Sequence, residues 1–326
     1  MLKILTKYIF IILLAFGCGS CIHEYPTGAG SDPSAIDLGI ELTIDLKWGE
    51  SITQPFFPTK GRNESDMRVV IEISRNGEIV GRDMFFLSDE EYANGYTRRR
   101  LPFTLHALSY EVAVWCDRVD SSSKTEHFDV SDLSSIKNNS ISGWSSEDAC
   151  GYAMDTFDLR EYRGKWDVKL IKEMTLSHAG ARFRLITTDI RKFVEEQLWE
   201  IEKGETYTVT INFENDTADS FNAFTGAAIR NYSYPAAITV PLKPTYDIYG
   251  ELEIAEGFVF CDSDDMLSMN VTVHNSARMP VVKSPEFRFE VHRGMISIVS
   301  GEFLSEIFSG NIKINNIWEG EITVDL

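Results

Sequence analysis

The sequence predicts an all-β protein made of two tandem β-sandwich domains. Three observations lead to this prediction: one long alternating segment near the start, many short strand-like segments separated by turn signals, and a single clear helical pattern. The chain has 326 residues, of which 43% are hydrophobic and 12% aromatic. That length and composition suffice to bury the cores of two ordinary domains.

The longest alternating segment covers residues 36–48 (IDLGIELTIDLKW), in which every second residue from Ile36 to Trp48 is apolar. Strict alternation is typical of a β-strand with one buried and one solvated face. At about 3.3 Å per residue such a strand could reach roughly 40 Å, well beyond the usual length. A strand this apolar on one face must complete a sheet, either in its own chain or in a neighbour.

The segment before this strand has the features of an export signal. Lys3 and Lys7 precede an uninterrupted apolar run at residues 8–16, which is too short for a membrane-spanning helix. Small residues then lead to Cys21, in the manner of a bacterial lipobox whose cysteine is acylated, although Cys18 stands where a leucine is usual. We therefore expect residues 1–21 to be a lipoprotein signal peptide and Cys21 to carry the lipid.

The first domain is expected to span residues 36–160, behind a flexible leash at residues 22–35 that is rich in Gly, Pro and small polar residues. A polar loop containing Arg62 follows the first strand. Asn76 and Gly77 are a strong signal for a two-residue hairpin turn. Further strands are expected at residues 67–75, 78–87, 98–105, 110–117 and 149–157.

The second domain is expected to span residues 161–326 and repeats the β pattern. Its one helix is predicted from apolar residues at helical spacing between Ile190 and Ile201, with Asp189 as a candidate N-cap and Gly204 as the stop. Strands are expected at residues 166–174, 181–187, 206–213, 236–242, 251–260, 267–274, 286–291, 296–300 and 321–326.

Composition and motifs argue against several classes of function. The formal net charge of −19 and the lack of a basic stripe argue against a nucleic-acid partner. The six histidines show no metal-ligand spacing, and no nucleophile elbow, phosphate-binding loop or dinucleotide fingerprint is present. We therefore expect neither an enzyme nor a cofactor, and we rank a hydrolase last among the candidate functions.

Three local features each have two interpretations. The acidic cluster at residues 261–265 is either a solvated turn, which we favour, or a calcium loop. The basic triplet at residues 98–100 is either a charged strand edge or a protease site. Four aromatic residues are either core residues, which we favour, or a sugar-stacking surface; they are Tyr92, Tyr96, Trp144 and Trp166.

After removal of the signal, three cysteines remain, so at most one disulfide can form. Cys116 and Cys150 fall in the same predicted domain and are the plausible pair. Buried free thiols are the alternative, at least as well supported by the sequence.

Several motifs in this order resemble the fimbrillin-like lipoproteins of Bacteroidales. The strand with Val114, Trp115 and Asp117, then Asp120, and the later Ser131-Asp132 step match the first domain of that family. The segments 179–189, 291–304 and 311–314 are similar to the opening of its second domain and to its C-terminal end. The resemblance covers nearly all of the chain after the signal.

This resemblance implies two transthyretin-like β-sandwiches on a lipoprotein at the surface of the outer membrane, with the lipid on Cys21. Members assemble into fimbriae by donor-strand exchange, so other fimbrial subunits are the implied partners, and a host or bacterial surface receptor is a further one. In shaft subunits an arginine-directed protease cuts after the first strand. Arg62 stands at the corresponding place, where an ordinary surface arginine is the alternative.

The sequence thus leads to a lipid-anchored fimbrial subunit or fimbrial-type adhesin that assembles by strand exchange. The alternative is a glycan-binding surface lipoprotein of a polysaccharide-uptake system. Such a protein would share the tether and the sandwiches and would depend on an exposed aromatic surface.

Overall fold

A computed structural model describes residues 35–45, 65–120, 127–139, 150–163, 165, 167–214, 217–230, 237–243, 250–305 and 313–318. Within these ranges the protein is almost entirely β, as predicted, with a short helix α1 (Asp89–Asn94), a longer helix α2 (Ile190–Glu202) and a 3₁₀ turn (Arg160–Tyr162). Neither α-helix has the length and apolar character that crossing a bilayer requires.

The strands, numbered in chain order, are β1 (Ala35–Asp45), β2 (Ser65–Arg75), β3 (Glu78–Phe86), β4 (Tyr96–His106), β5 (Ser109–Asp120), β6 (Phe128–Asp129), β7 (Ile136–Asn138), β8 (Cys150–Asp158), β9 (Asp167–Thr175), β10 (Ser177–His178), β11 (Gly180–Thr187), β12 (Tyr207–Phe213), β13 (Ala218–Asn222), β14 (Ala227–Arg230), β15 (Ala237–Leu242), β16 (Leu252–Phe260), β17 (Asp264–Asn275), β18 (Pro280–Lys283), β19 (Phe287–His292), β20 (Met295–Gly301) and β21 (Lys313–Trp318).

The first sandwich packs a three-stranded sheet, in the order β4-β1-β9, on a five-stranded sheet, in the order β10-β8-β5-β2-β3. The hairpin between β2 and β3 turns at Asn76 and Gly77, whose φ angles of 54° and 81° are those that a tight hairpin requires. That turn confirms the hairpin predicted from the sequence.

The second sandwich packs a sheet in the order β21-β20-β11-β16-β13-β7-β6, with β14 beside β13, on a sheet in the order β15-β12-β17-β18, with β19 beside β17. Helix α2 closes one side through Ile190 and Phe193, which are fully buried. Asp189 stands at the N-cap, but its carboxylate accepts hydrogen bonds from the Leu304 amide and the Ser305 hydroxyl instead of capping the helix.

A third core joins the two sandwiches. Trp115 of β5 lies on the outer face of the five-stranded sheet and is fully buried against Phe128, Phe221 and Phe260, with ring centroids 5.1–6.3 Å apart. Because Phe221 and Phe260 belong to strands of the second sandwich, one tryptophan contributes to the packing of both domains.

Residues 127–139, which we name the crossing segment, follow the first sandwich in sequence but add strands β6 and β7 to a sheet of the second. Two buried charges attach it to β2. The Arg68 guanidinium binds Asp117 at 2.7 and 2.9 Å and donates to the Phe128 carbonyl. The Glu72 carboxylate accepts from the Leu133 amide at 3.1 Å.

The predicted domain boundary at residue 160 does not coincide with the way the described strands are shared between the two sandwiches. Strand β9, which was expected in the second domain, pairs with β1 in the first sandwich. Residues of the first core continue to Leu176, and those of the second begin at Ala181. Whether residues 36–160 and 161–326 fold as separate domains stays a prediction. In the described structure, strands β9 and β10 belong to the sheets of the first sandwich.

Candidate functional site: the place of strand β1

Strand β1 lies in the middle of the three-stranded sheet. It pairs antiparallel with β4, from Ala35 opposite His106 to Asp45 opposite Tyr96, and parallel with β9, from Asp37 opposite Asp167 to Asp45 opposite Thr175. The two neighbouring strands make their sheet contacts through β1. Without it, β4 and β9 would each present an unpaired edge to solvent.

The inner face of β1 belongs to the first core. Leu42 and Ile44 are 1% and 0% exposed, and both lie in one cluster with residues of the opposite sheet. Full burial of a leucine or isoleucine side chain typically stabilises the folded state by about 1.5–3 kcal/mol. At these two positions the structure therefore confirms the prediction from the alternating pattern that the apolar residues face inward.

The outer face of β1 carries a carboxylate surrounded by cations. The Glu41 carboxylate forms ion pairs with the Arg98 guanidinium, whose Nε lies 3.5 Å from Glu41 Oε1, and with the Lys169 ammonium. Arg100 lies directly opposite Glu41 in the β1–β4 pairing. The hydrogen bond from Lys169, together with the charges of Lys169, Arg98 and Arg100, holds the pKa of Glu41 below its usual value. We name these three basic residues the cation cluster.

An open depression lies at the end of the described part of β1, with a volume of about 260 Å³. Its lining includes Asp45 of β1, Tyr96 of β4 and Met174 of β9. From this depression the sequence continues into residues 46–64, which lie outside the described ranges.

The described residues leave several predicted sites untested. Cys21 and Arg62 both lie outside them, as do residues 46–48 of the predicted first strand and the predicted last strand at residues 321–326. Lipidation at Cys21 and processing at Arg62 therefore stay predictions.

The basic triplet divides between the two faces of β4, an edge strand of its sheet. Arg98 and Arg100 face outward toward Glu41, and Arg99 places its guanidinium 4.4 Å from the centre of the Phe85 ring and binds Glu91. This arrangement agrees with the interpretation of the triplet as a charged strand edge.

The acidic cluster at residues 261–265 has protein partners. Asp262 and Asp265 bind Arg230, and Asp264 binds His292 at 2.7 Å. No group of His, Cys, Asp and Glu among the described residues has the geometry of a metal site. These carboxylates therefore have basic partners within the protein, and Asp264 and Asp265 begin strand β17.

Of the four aromatic residues that could form a sugar-stacking surface, the structure describes the side chain of Tyr96. Tyr96 is 48% exposed on β4, where it lines the depression. Trp144 and Trp166 lie outside the described residues, and nothing is described of the Tyr92 side chain.

Cys116 and Cys150 are both buried, and no disulfide joins them. They lie on neighbouring strands, where Cys150 is opposite Asp117 and one residue out of step with Cys116. Side chains one residue out of step point to opposite faces of a sheet. Cys116 therefore lies in the first core and Cys150 in the third core, which explains why the pair allowed by the sequence does not form.

Sequence reasoning missed Lys169 and the role of Glu41. Lys169 lies on β9, and only the parallel pairing of β9 with β1 brings it to Glu41. The signal that could have pointed to this contact is the concentration of Arg98, Arg100 and Lys169 on strands of a strongly acidic chain.

The sequence profile of a family of unknown function, DUF6562, matches residues 33–326. No curated protein matches the chain. Solved structures with a similar fold include the fimbrial anchor protein Mfa2 of Porphyromonas gingivalis, a candidate cell adhesion protein of Parabacteroides distasonis and a candidate polysaccharide-binding protein of Bacteroides thetaiotaomicron, with TM-scores of 0.46, 0.46 and 0.43.

Sequence identities to these three proteins are 9%, 11% and 9% in the same order. The alignments cover 81%, 90% and 87% of this chain, and 90%, 100% and 98% of the other proteins.

Proposed function

The chain belongs to the family of unknown function DUF6562, and since that description assigns no role, we propose one from the strand order: a lipid-anchored fimbrial subunit or fimbrial-type adhesin at the surface of the outer membrane, which assembles with other subunits by exchange of strand β1. The observation that carries the proposal is the central position of β1 between β4 and β9.

A central strand at the start of the chain suits strand exchange on physical grounds. Departure of β1 would bare the core around the positions of Leu42 and Ile44 along with unpaired backbone groups on both neighbours. A strand from another subunit could restore both the ladder hydrogen bonds and the apolar contacts, as in other cases of β-augmentation. The position of β1 would therefore be filled by the subunit's own strand before exchange and by a strand of another subunit after it, which would join the two subunits.

Arg62 is the proposed processing site, because it lies between β1 and β2 in the sequence. Hydrolysis of the peptide bond after Arg62 would separate β1, and the lipid proposed on Cys21, from the rest of the chain. An uncut chain would keep both and remain at the membrane as an anchor or stand-alone adhesin.

The test uses the chain without residues 1–21, incubated with and without an arginine-directed protease. Arg62→Lys is the matched control, since it keeps the charge and removes the cleavage site. We expect cleavage after Arg62 and polymers that survive mild detergent with the parent chain, and monomers with the variant. A parent chain that is cut but stays monomeric, and that takes up no added peptide of residues 36–48, would refute strand exchange.

The N-terminal residue of the protein isolated from cells distinguishes the roles. We expect acylated Cys21 for an anchor or stand-alone adhesin and Asn63 for a processed polymer subunit. An N-terminus at neither position would contradict both proposed sites.

A further inference from the structure

Strand β3 is the last strand at one edge of the five-stranded sheet, and among the described residues no strand pairs with its other side. The Leu87 amide donates to the Met67 carbonyl at 2.9 Å, one step beyond the paired residues of β2 and β3. In an antiparallel pair, every second residue directs both its amide and its carbonyl to the partner strand. Counting back from Leu87, the residues in between, which include Arg82, Met84 and Phe86, therefore direct their backbone groups away from β2 and out of the sheet.

The side chains at this edge are unusually apolar for an edge strand. Met84 is 52% exposed and Phe86 is 48% exposed. Proteins commonly protect edge strands with lysine, proline or a bulge. The pairing of β2 with β3 is irregular between Ile73 and Ser74, but residues 81–86 pair without a break and contain neither lysine nor proline. This stretch therefore offers unpaired backbone groups beside two half-exposed apolar side chains.

We propose that the edge of β3 pairs with β3 of a second copy of this chain, antiparallel and about a two-fold axis at Met84, so that the two five-stranded sheets join edge to edge. This inference goes beyond the proposed function, because β3 belongs to the other sheet of the first sandwich and the pairing needs neither cleavage nor the departure of β1.

The outer face of the joined sheets follows from this register. Met84 lies opposite Met84 of the second copy, and Arg82 lies opposite Phe86 of the second copy, so that each facing pair can exchange two backbone hydrogen bonds. The Arg82 guanidinium is already held in place, since it binds Glu72 and donates to the Val130 carbonyl at 2.6 Å. A fixed guanidinium opposite a half-exposed aromatic ring is a favourable cation–π arrangement.

The inner face of the joined sheets has complementary charges. Asp83 of one copy lies opposite Phe85 of the other, in the type of pair whose side chains come closest. The Arg99 guanidinium lies 4.4 Å from the centre of the Phe85 ring and its side chain is 39% exposed, so the carboxylate would arrive beside a cation. In the single chain the Asp83 carboxylate accepts from the Met84 amide at 2.9 Å, and pairing exchanges that bond for the partner's carbonyl.

Two-fold registers with other centres fit less well. A centre at Asp83 would bring two carboxylates face to face, and a centre at Arg82 would do the same with two guanidinium groups. A centre at Phe85 would move Asp83 away from Arg99 of the second copy. The register centred on Met84 is therefore the one that both faces favour.

The test is sedimentation velocity of the chain from residue 22 over a range of concentrations, with Arg62→Lys present so that no cut chain contributes. We expect a reversible dimer with a dissociation constant of about 10–100 μM, because one strand pair is a small interface. Dilution or mild detergent should separate this dimer, whereas exchanged polymers survive mild detergent.

Two substitutions with matched controls locate the interface. Met84→Lys should raise the dissociation constant at least tenfold, since two ammonium groups would meet at the axis. Met154→Lys is its control: Met154 is 50% exposed on the outer face of the same sheet but lies on β8, so we expect a change of less than twofold. Asp83→Lys should weaken the dimer about tenfold beside Arg99, and Glu78→Lys, at the far end of β3, less than twofold.

Disulfide formation tests the register and does not depend on the strength of the dimer. Met84→Cys should link two copies under mild oxidation, because facing residues of a hydrogen-bonded pair have Cα atoms about 5.5 Å apart. Phe86→Cys should not, since the two substituted residues would be four positions apart along the strands, about 13 Å. Equal urea midpoints of the variants and the parent verify that the variants are folded.

Three results would overturn the inference. A parent chain that is monomeric at every concentration and forms no Met84→Cys dimer excludes pairing at β3. A dimer that Met84→Lys weakens no more than Met154→Lys does would use another surface. A link through Phe86→Cys in place of Met84→Cys would refute the register. None of these results bears on the exchange of β1, which is tested on the cut chain.

Discussion

Replacement of the buried residues of β1 tests whether this strand is part of the first core. Ile44 and Leu42 are 0% and 1% exposed, so truncation of either residue to alanine removes three buried carbon atoms that the packed sheets cannot easily replace. Leu→Ala and Ile→Ala at such sites cost about 2–5 kcal/mol. Against a total stability of about 5–15 kcal/mol for a domain, each change is a large fraction.

The assay is urea unfolding of the chain from residue 22, followed by circular dichroism and tryptophan fluorescence. A loss of about 3 kcal/mol with a slope of about 2 kcal/mol per molar lowers the midpoint by about 1.5 M. Thr43→Ala is the matched control: it lies between the two on the same strand but faces outward, so we expect a change of about 0.5 kcal/mol or less.

The reasoning would be refuted by midpoints for Ile44→Ala and Leu42→Ala that equal that of Thr43→Ala. That result would mean that β1 contributes no core packing in solution. The proposed exchange would then lose its driving force, because a strand that buries nothing leaves no groove when it departs.

The remaining predictions concern the third core, its buried ion pair, the acid limb of stability and the thiols. Trp115→Ala should cost about 3–5 kcal/mol and lower the unfolding midpoint of both sandwiches, as seen by calorimetry, since its ring contacts strands of both; loss in the first sandwich alone would contradict a shared core. Arg68→Met should cost about 3–5 kcal/mol by removing the guanidinium that binds the buried carboxylate of Asp117, and the double variant Arg68→Met/Asp117→Leu should recover most of it in the same urea assay; a double variant as unstable as the single would count against this. The ion pairs of Glu41 lower its pKa in the folded state, so they contribute stability that is present above pH 4.5 and is lost as the pH falls through the lower folded pKa. Glu41→Gln should therefore flatten the curve of stability against pH between pH 5 and pH 3. A curve that the variant leaves unchanged in this range would argue against the ion pairs. Burial raises the pKa of the Cys261 thiol to about 12, and all three thiols of the chain from residue 22 are buried, so a thiol reagent should label none in the native state and three in urea; fast native labelling would contradict the packing.

The motif that suggested the fimbrillin-like family gains a physical explanation from the packing. Val114 faces the first core, and Trp115 on the next position faces the third core. Asp117 shares the outer face with Trp115 and binds Arg68, which also holds the crossing segment at Phe128. The motif therefore marks the strand on which the two sandwiches meet.

The sequence by itself determined the class of fold and the faces of its strands. The alternation in residues 36–48 predicted that Leu42 and Ile44 point inward and Glu41 outward, and the structure confirms this for those residues. The hairpin at Asn76 and Gly77 also follows from the sequence, because positive φ angles at two adjacent positions depend on local residue types.

Only the tertiary structure decided which strands are neighbours. The parallel pairing of β1 with β9 brings Lys169 to Glu41, and the crossing segment joins a sheet of the other domain. The separation of Cys116 from Cys150 likewise depends on pairing between β5 and β8. The physical reason is that side-chain alternation specifies a buried face, whereas backbone hydrogen bonds are the same for every strand, so the choice of partner depends on packing between residues far apart in the chain.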